Sequence, residues 1–506
     1  MWELKEVDPE RVKKIEDSFE VHPALARVLA LRVENLEEVR QFLSPQLSDF
    51  SPPLSLPDME RSVERIIQAI DRREPILLWG HDDLDGMAGV ASLYEILRDL
   101  GAEVTYYIPD RTKERHGLDM NRIQTFAQKG VRLLITIDCG ITNSDEVNYA
   151  KGLKMDVIVT DHHEITQGIP EALGVITTKK PVYPYADLAG CGIALKLCMG
   201  LVQKYLGIST KEFLSAKKDL LAFTALGTIA DKVPLLGENR VIVKYGLDVL
   251  KESRRPVMET LRGVISEPTP QRIVSCILPL FSSAYGGEGV KFLLSKKREE
   301  AEEFLSLFSQ RNEEWRKGAS QALAKARERI EVFDRIVISY DKAIPIRTLG
   351  FCASRLRDEL HLPAIVIGWR GNEWVGEARG IEGLNLVELL KFCSSELSDY
   401  GGHPKAAGFS IKGDGISSFM EKAYRYAEKH FRIPEEKGEM KADAMLPLKE
   451  LSSEFKDLAP FGEGNPPPLF VSLRTPWAGR EMDILYTIDE NLRVYIKATT
   501  PSSQLQ

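Results

Sequence analysis

The chain has 506 residues, of which 67 are Lys or Arg and 75 Asp or Glu, giving a formal charge of −8 with 43% hydrophobic and 28% charged content. That length suits two to four domains, and the composition excludes a disordered, collagenous or membrane-spanning chain, because no apolar run nears the roughly 18 residues a span needs. The acidic balance also excludes a histone-like coat for nucleic acid, although an enzyme with a local basic groove stays open.

In chain order, residues 1–55 read as an N-terminal segment of short helices that ends in Ser51-Pro52-Pro53-Leu54. The first six residues are polar and mixed in charge, unlike a secretory signal. A helix is expected over 58–72. Strand-like runs at 75–79, 103–108, 132–137 and 156–160 then alternate with helical patterns at 87–100 and from Ser144. Such alternation indicates a parallel, doubly wound sheet. Residues 189–330 look mainly helical, and the charged stretch 298–331 reads as a long connecting helix. A smaller α/β unit follows, with strands expected at 335–339, 364–368 and 374–377 and helices at 349–360 and 386–397. Residues 436–506 alternate apolar positions among Pro and Gly, which suggests β structure. The expected domains are therefore 1–55, 56–290, the connecting helix 291–333, 334–435 and 436–506. Six scattered cysteines without a CxxC pair fit reduced, buried thiols in a cytoplasmic protein.

Four places put metal-binding side chains directly after an apolar stretch. Ile76-Leu77-Leu78-Trp79-Gly80 leads into His81-Asp82-Asp83-Leu84-Asp85-Gly86. Leu134-Ile135-Thr136-Ile137 leads into Asp138, and Val157-Ile158-Val159-Thr160 into Asp161-His162-His163. Asp231 follows the apolar helical stretch 222–230. Sites in open α/β sheets form beyond the carboxyl ends of the strands, so the three strand-end clusters share one edge. Carboxylate oxygens with imidazoles and no thiolate suit Mn²⁺ or Mg²⁺ rather than structural zinc. Carboxylates gathered without cations repel, and two divalent ions compensate them naturally. One Asp after a strand is ordinarily a cap or turn residue; three such clusters in one context are not explained that way.

His81-x-Asp83-x-Asp85-Gly86, Asp138, Asp161-His162-His163 and Asp231 resemble the motifs of the DHH phosphoesterase superfamily, and more narrowly its RecJ-like exonucleases. The likeness runs from about His22 to Phe470. It takes in Ile108-Pro109-Asp110-Arg111, Leu188-Ala189-Gly190-Cys191-Gly192 and Ala230-Asp231-Lys232-Val233-Pro234-Leu235. Gly401-Gly402-His403-Pro404-Lys405-Ala406-Ala407-Gly408-Phe409 looks like the DHHA1 signature. Pro460-Phe461-Gly462-Glu463-Gly464-Asn465-Pro466 looks like the entry to an OB-fold-like β domain.

The resemblance implies that Asp138 bridges two ions, that His81 and Asp83 bind one, and that Asp85, His162 and Asp231 bind the other. It implies that His163 orients the site or touches the scissile phosphate while Asp161 supports the histidines. It places Arg111, Arg355, Arg379, Gly401, Gly402 and His403 against substrate phosphates. The implied activity is metal-dependent 5′→3′ degradation of single-stranded DNA to mononucleotides, in DNA repair or recombination, with a single-strand-binding protein or replication and repair factors as partners and no membrane. Hydrolysis of short oligonucleotides or cyclic dinucleotides, and an inactive scaffold, are the alternatives. Three departures stand out. Residues 282–287 read Ser-Ser-Ala-Tyr-Gly-Gly where the family carries Asn-Ala-x-Gly-Arg. His81 stands where many members have Asp. Few residues follow the Pro460 turn where an OB barrel normally needs more strands to close, so the β unit is expected to be shortened or completed differently.

Overall fold

The computed structural model describes residues 2–111, 113–114, 117–165, 168–180, 183, 185, 187–333, 335–371, 373–431, 441–477 and 480–501. It divides into two compact units, Met1–Ser309 with Lys441–Gln506, and Gln310–Met440.

The first unit is built on strands β1 (Ile76–Gly80), β2 (Val104–Tyr107), β3 (Leu133–Ile137), β4 (Asp156–Thr160) and β5 (Gly174–Ile176), in the order β2-β1-β3-β4-β5. Every pairing is parallel. β1 and β3 are buried along their whole length, which is why they read as unbroken apolar runs. Alternate residues enter two cores. Ile76, Leu78, Leu133 and Ile135 pack into one with the helices Leu84–Asp99 and Gly190–Leu206. Leu77, Trp79, Leu134 and Val157 pack into the other with Val147 and Ile123 from the helices on the opposite face. The sheet is thus doubly wound, and its order reverses between β1 and β3, where ligands bind in such sheets. β5 was not expected: three residues are too few for a periodic signal.

The last strands belong to the same unit. β12 (Ala444–Met445), β13 (Leu469–Trp477), β14 (Arg480–Ile488) and β15 (Val494–Pro501) form an open sheet in that order. Phe470, Tyr486 and Ile488 share a core with Leu25, Val28 and Phe42 from the N-terminal helices. Those helices start as their sequence dictates: Asp8, His22 and Asn35 each cap one with a side-chain acceptor.

The second unit holds β6 (Ile330–Phe333), β7 (Ile336–Tyr340), β8 (Ala364–Arg370), β9 (Glu373–Arg379), β10 (Leu397–His403) and β11 (Ala406–Ile411), in the order β10-β11-β9-β8-β7-β6. Only β7 and β8 pair in parallel among these strands. The long helix runs Arg298–Glu328, not to 331, because Ile330, Val332 and Phe333 pair with β7 instead, as branched and aromatic residues favour.

Candidate metal centre

Every sequence-expected ligand gathers beyond the carboxyl ends of β1, β3 and β4. Asp83 caps the helix Leu84–Asp99 by accepting the Gly86 N–H at 3.0 Å. That places Asp85 further in, buried, where its two oxygens accept the N–H groups of Gly190 (2.7 Å) and Cys191 (2.9 Å). The turn after β1 is tight: a Cβ on Gly86 would stand 2.5 Å from the His81 carbonyl. Asp138 leaves β3 with a left-handed φ of 60°, fixed by its N–H donating to the Thr160 carbonyl at 2.9 Å. Asp161 accepts the N–H of Ile141 (2.9 Å) and of His163 (3.1 Å), and the His163 Nδ1–H at 2.7 Å. Asp231 ends the helix Asp219–Asp231.

Among the described residues, three groups of potential ligand atoms result, each within 4.8 Å: His81, Asp83 and Asp138; Asp138, His162 and His163; Asp85, His162 and Asp231. Asp138 and His162 each belong to two of them. His162 Nε2 lies 3.2 Å from Asp138 Oδ1 and 3.4 Å from Asp231 Oδ2. His81 Nδ1 lies 2.9 Å from Asp83 and 3.7 Å from Asp138.

The electrostatics mark the place as starved of positive charge. Burial, then the carboxylates of Asp85 and Asp83, holds the Asp138 carboxyl well above the usual range. The same causes push Asp231 up to about 8. Burial also acts to raise Asp83, but His81 outweighs it and leaves Asp83 at about 2. Hydrogen bonding to Asp161 raises His163, whereas burial lowers His162. Asp138 Oδ1 and His162 Nε2 are fully buried and make no hydrogen bond, an arrangement that costs about 1–3 kcal/mol per neutral group and more for a charge. Donors of this type, unsatisfied and shared between groups, fit a pair of divalent cations bound by oxygen and imidazole.

Residues 75–228 match the DHH family, N-terminal domain, and residues 333–429 match the DHHA1 domain. The chain carries a DHH domain and a DHHA1 domain. The single-stranded-DNA-specific exonuclease RecJ of Bacillus subtilis is 32% identical to it across 92% of this chain and 61% of that protein. The Haemophilus influenzae RecJ is 28% identical across 92% and 86%. The chain therefore spans about three fifths of the Bacillus relative's length. Exonuclease RecJ bound to manganese aligns over 76% of this chain and 98% of its own, at 26% identity and a TM-score of 0.67. RecJ of Thermus thermophilus in complex with Mn²⁺ covers 100% of this chain and 74% of its own, with a TM-score of 0.80; at 24% identity that likeness shows the fold.

The residues expected to meet phosphate divide between the two units. Arg111 lies at the DHH cluster, its Nε 2.9 Å from Asp82 Oδ2. The others lie in the DHHA1 unit. Arg355 is exposed, with its guanidinium 5.5 Å above the Phe351 ring. Arg379 donates to Glu377 (2.8 Å) and to the Ala378 carbonyl (2.9 Å), and packs where Gly350 leaves room. Gly401, Gly402 and His403 are not a loop: they are strand residues of β10, paired with Gly408, Ala407 and Ala406. Gly402 has φ 136°, and a Cβ there would meet the Ala406 carbonyl at 2.5 Å. The side chain of His403 lies outside the described residues. Sequence reasoning missed Asp82, buried beside His81 and Arg111. It also gave no role to Gly190, whose N–H anchors Asp85 and where an added Cβ would fall 2.5 Å from Asp138. The only available signal was the motif around Gly190, since its partners are distant in sequence.

Proposed function

We propose that the chain is a metal-dependent exonuclease that hydrolyses phosphodiester bonds of single-stranded DNA, acting 5′→3′ and releasing 5′-mononucleotides, in DNA repair or recombination. The observation that carries the reading is the trio of ligand groups joined through Asp138 and His162. His81, Asp83 and Asp138 would hold one divalent ion, and Asp85, His162 and Asp231 with Asp138 the other. When bound, Mn²⁺ or Mg²⁺ there supplies Lewis acidity for activating water and neutralises charge at the phosphodiester.

The remaining chemistry belongs to the chain. Asp161 holds His163 through Nδ1 and favours the protonated ring, and the half-exposed imidazolium can then donate from Nε2 to a phosphate oxygen. Asp85, clamped by two N–H groups, is preset for its ion. A cavity of about 720 Å³ reaches from Ile229 and Lys232 to Arg272, Arg493, Tyr495 and Lys497 of the first unit, and none of the metal-cluster side chains lines it. Glu267, Glu463, Asp489 and Glu490 share its wall, so it is no uniformly basic tract. Substrate type and polarity rest on likeness to the RecJ relatives.

The test is digestion of 5′- and 3′-end-labelled single strands with Mn²⁺. Mononucleotides should leave the 5′ end, with blunt duplex resistant. Shortening from 3′ ends sinks the polarity, and faster turnover of dinucleotides than of long strands sinks the polymer substrate.

A further inference from the structure

The carboxylates of the metal cluster are not held alike. Asp83 accepts the Gly86 N–H, Asp85 accepts two N–H groups, and Asp161 accepts two N–H groups and an imidazole. Asp138 is gripped through its own N–H and is almost fully buried. Among the described residues, Asp231 has none of these supports. Its carboxylate faces His162 at 3.4 Å and is the partly exposed carboxylate at the end of its helix. Its place is set by its backbone, hence by the segment that follows.

That segment, residues 232–236, turns sharply through Lys232 at φ 60° and is pinned from two sides. On the inner side the Tyr185 hydroxyl donates to the Leu236 carbonyl (2.6 Å) and lies 3.2 Å from that of Pro234, and the Asn239 amide donates to Pro234 at 3.0 Å. On the outer side lies a turn from far along the chain. The Leu235 N–H donates to the Glu463 carbonyl at 2.8 Å. Gly462 and Gly464 press against the segment so closely that added Cβ atoms would stand 2.6 Å from Leu235 Cδ1 and 2.8 Å from Pro234 Cβ. The turn is rigid: Gly462 and Asn465 exchange backbone bonds of 2.9 and 3.1 Å. The buried Asn465 amide donates to Leu458 and Pro460, at 2.8 Å each. The Arg32 guanidinium from the N-terminal helices donates to the Asn465 oxygen.

We propose that the turn Pro460–Asn465 is a positioning element for Asp231, so that the ion held by Asp85, His162 and Asp231 depends on the docked C-terminal strands while the ion held by His81, Asp83 and Asp138 does not. This rests on the metal-dependent reading above. Gly464 also holds a left-handed φ of 67°, and a methyl group at 462 or 464 would press on Leu235 or Pro234 of the segment that follows Asp231. Tight Cβ contact with backbone or with a buried side chain forces a shift in a closely packed region.

Titration of the chelator-treated full chain with Mn²⁺, followed by the loss of the free-ion electron paramagnetic resonance signal, tests it. The unaltered protein should bind two ions. Gly462→Ala should weaken one of them by roughly 10-fold or more, the scale of losses at outer supports of metal ligands, and leave the other unchanged. Gly462→Ala combined with Leu235→Ala, which opens space for the new methyl group, should recover most of the loss. If Gly462→Ala alone does not fold, Gly464→Ala carries the test, because its methyl group would press on Pro234 in the same segment and should weaken the same single ion. Two unchanged ions in the folded variants, or equal weakening of both, overturns the positioning role. No ion bound by the unaltered protein overturns the metal-dependent reading itself.

Discussion

Asp138 and Asp161 follow neighbouring strands, yet the structure gives them different tasks. Asp138 belongs to two ligand groups, and its Oδ1 is buried without a hydrogen bond. Asp161 belongs to none and spends its oxygens on Ile141 and His163. Asp138→Asn should therefore reduce turnover to the level of a chelator control, while Asp161→Asn should cost about 10–100-fold, as outer-sphere supports do. Equal losses in a steady-state nuclease assay would refute the division. A second prediction concerns pH. The folded Asp231 carboxyl sits at about 8, far above about 3.9 for an unfolded Asp. The folded state then holds the extra proton between those values, so chelated protein loses stability as pH rises from about 4 to about 8. The raised His81 and His163 act in the same direction. Mn²⁺ binds the deprotonated groups, so it should raise the melting temperature more at pH 8 than at pH 6. A melting temperature in chelator that is higher at pH 8 than at pH 6 would contradict this. The ligand types were legible in the sequence because ligation demands Asp and His at strand ends. Asp82 was not, since its partner Arg111 lies 29 positions away on another loop and no local period links the two.

The helix Gly190–Leu206 begins against the metal cluster, and its first turn sets the distance between two ligands. Gly190 and Cys191 donate to Asp85, while Gly190 leaves no space for a methyl group beside Asp138. In Gly190→Ala the new Cβ would approach Asp138 Oδ1 to 2.6 Å, and either Asp138 or the helix start must move. Mn²⁺ affinity should fall by roughly 10–100-fold while the far-ultraviolet circular dichroism stays that of a folded α/β protein; calorimetry showing unaltered affinity would refute it. At this scale the sequence was most informative for long, periodic pieces. The helices at 58–72 and 87–100 and the strands β1, β3 and β4 follow from apolar spacing alone. β10 and β11 escaped notice because Gly401-Gly402 and Pro404-Lys405 carry turn chemistry. In the structure only Pro404-Lys405 turns, and Gly402 is needed because β10 meets β11 too closely for a side chain.

Three distant parts of the chain meet on one buried guanidinium. Arg240, on the helix Gly237–Glu252 of the first unit, donates to the carbonyls of Phe42 (2.7 Å), Asp457 (2.7 Å) and Ala459 (2.7 Å), and its guanidinium lies 3.6 Å from the Phe42 ring centre. It is 1% exposed, and burial draws its pKa down to about 9. The N-terminal helices, the helix Gly237–Glu252 and the C-terminal strands thus form one packed body, with separation in sequence hiding what the shared core makes plain. No sequence pattern marks this, because Arg reads as a surface residue until its carbonyl partners are known. Arg240→Met would keep much of the side-chain volume but leave three carbonyls buried without this donor, each worth about 1–3 kcal/mol. The variant should unfold at markedly lower urea than the unaltered chain. The first fragments released by brief proteolysis should come from residues 1–55 or 441–506, since the Arg240 hydrogen bonds help tie both segments to the helix Gly237–Glu252. An unchanged urea midpoint would show that packing alone, without the guanidinium, holds the three parts together.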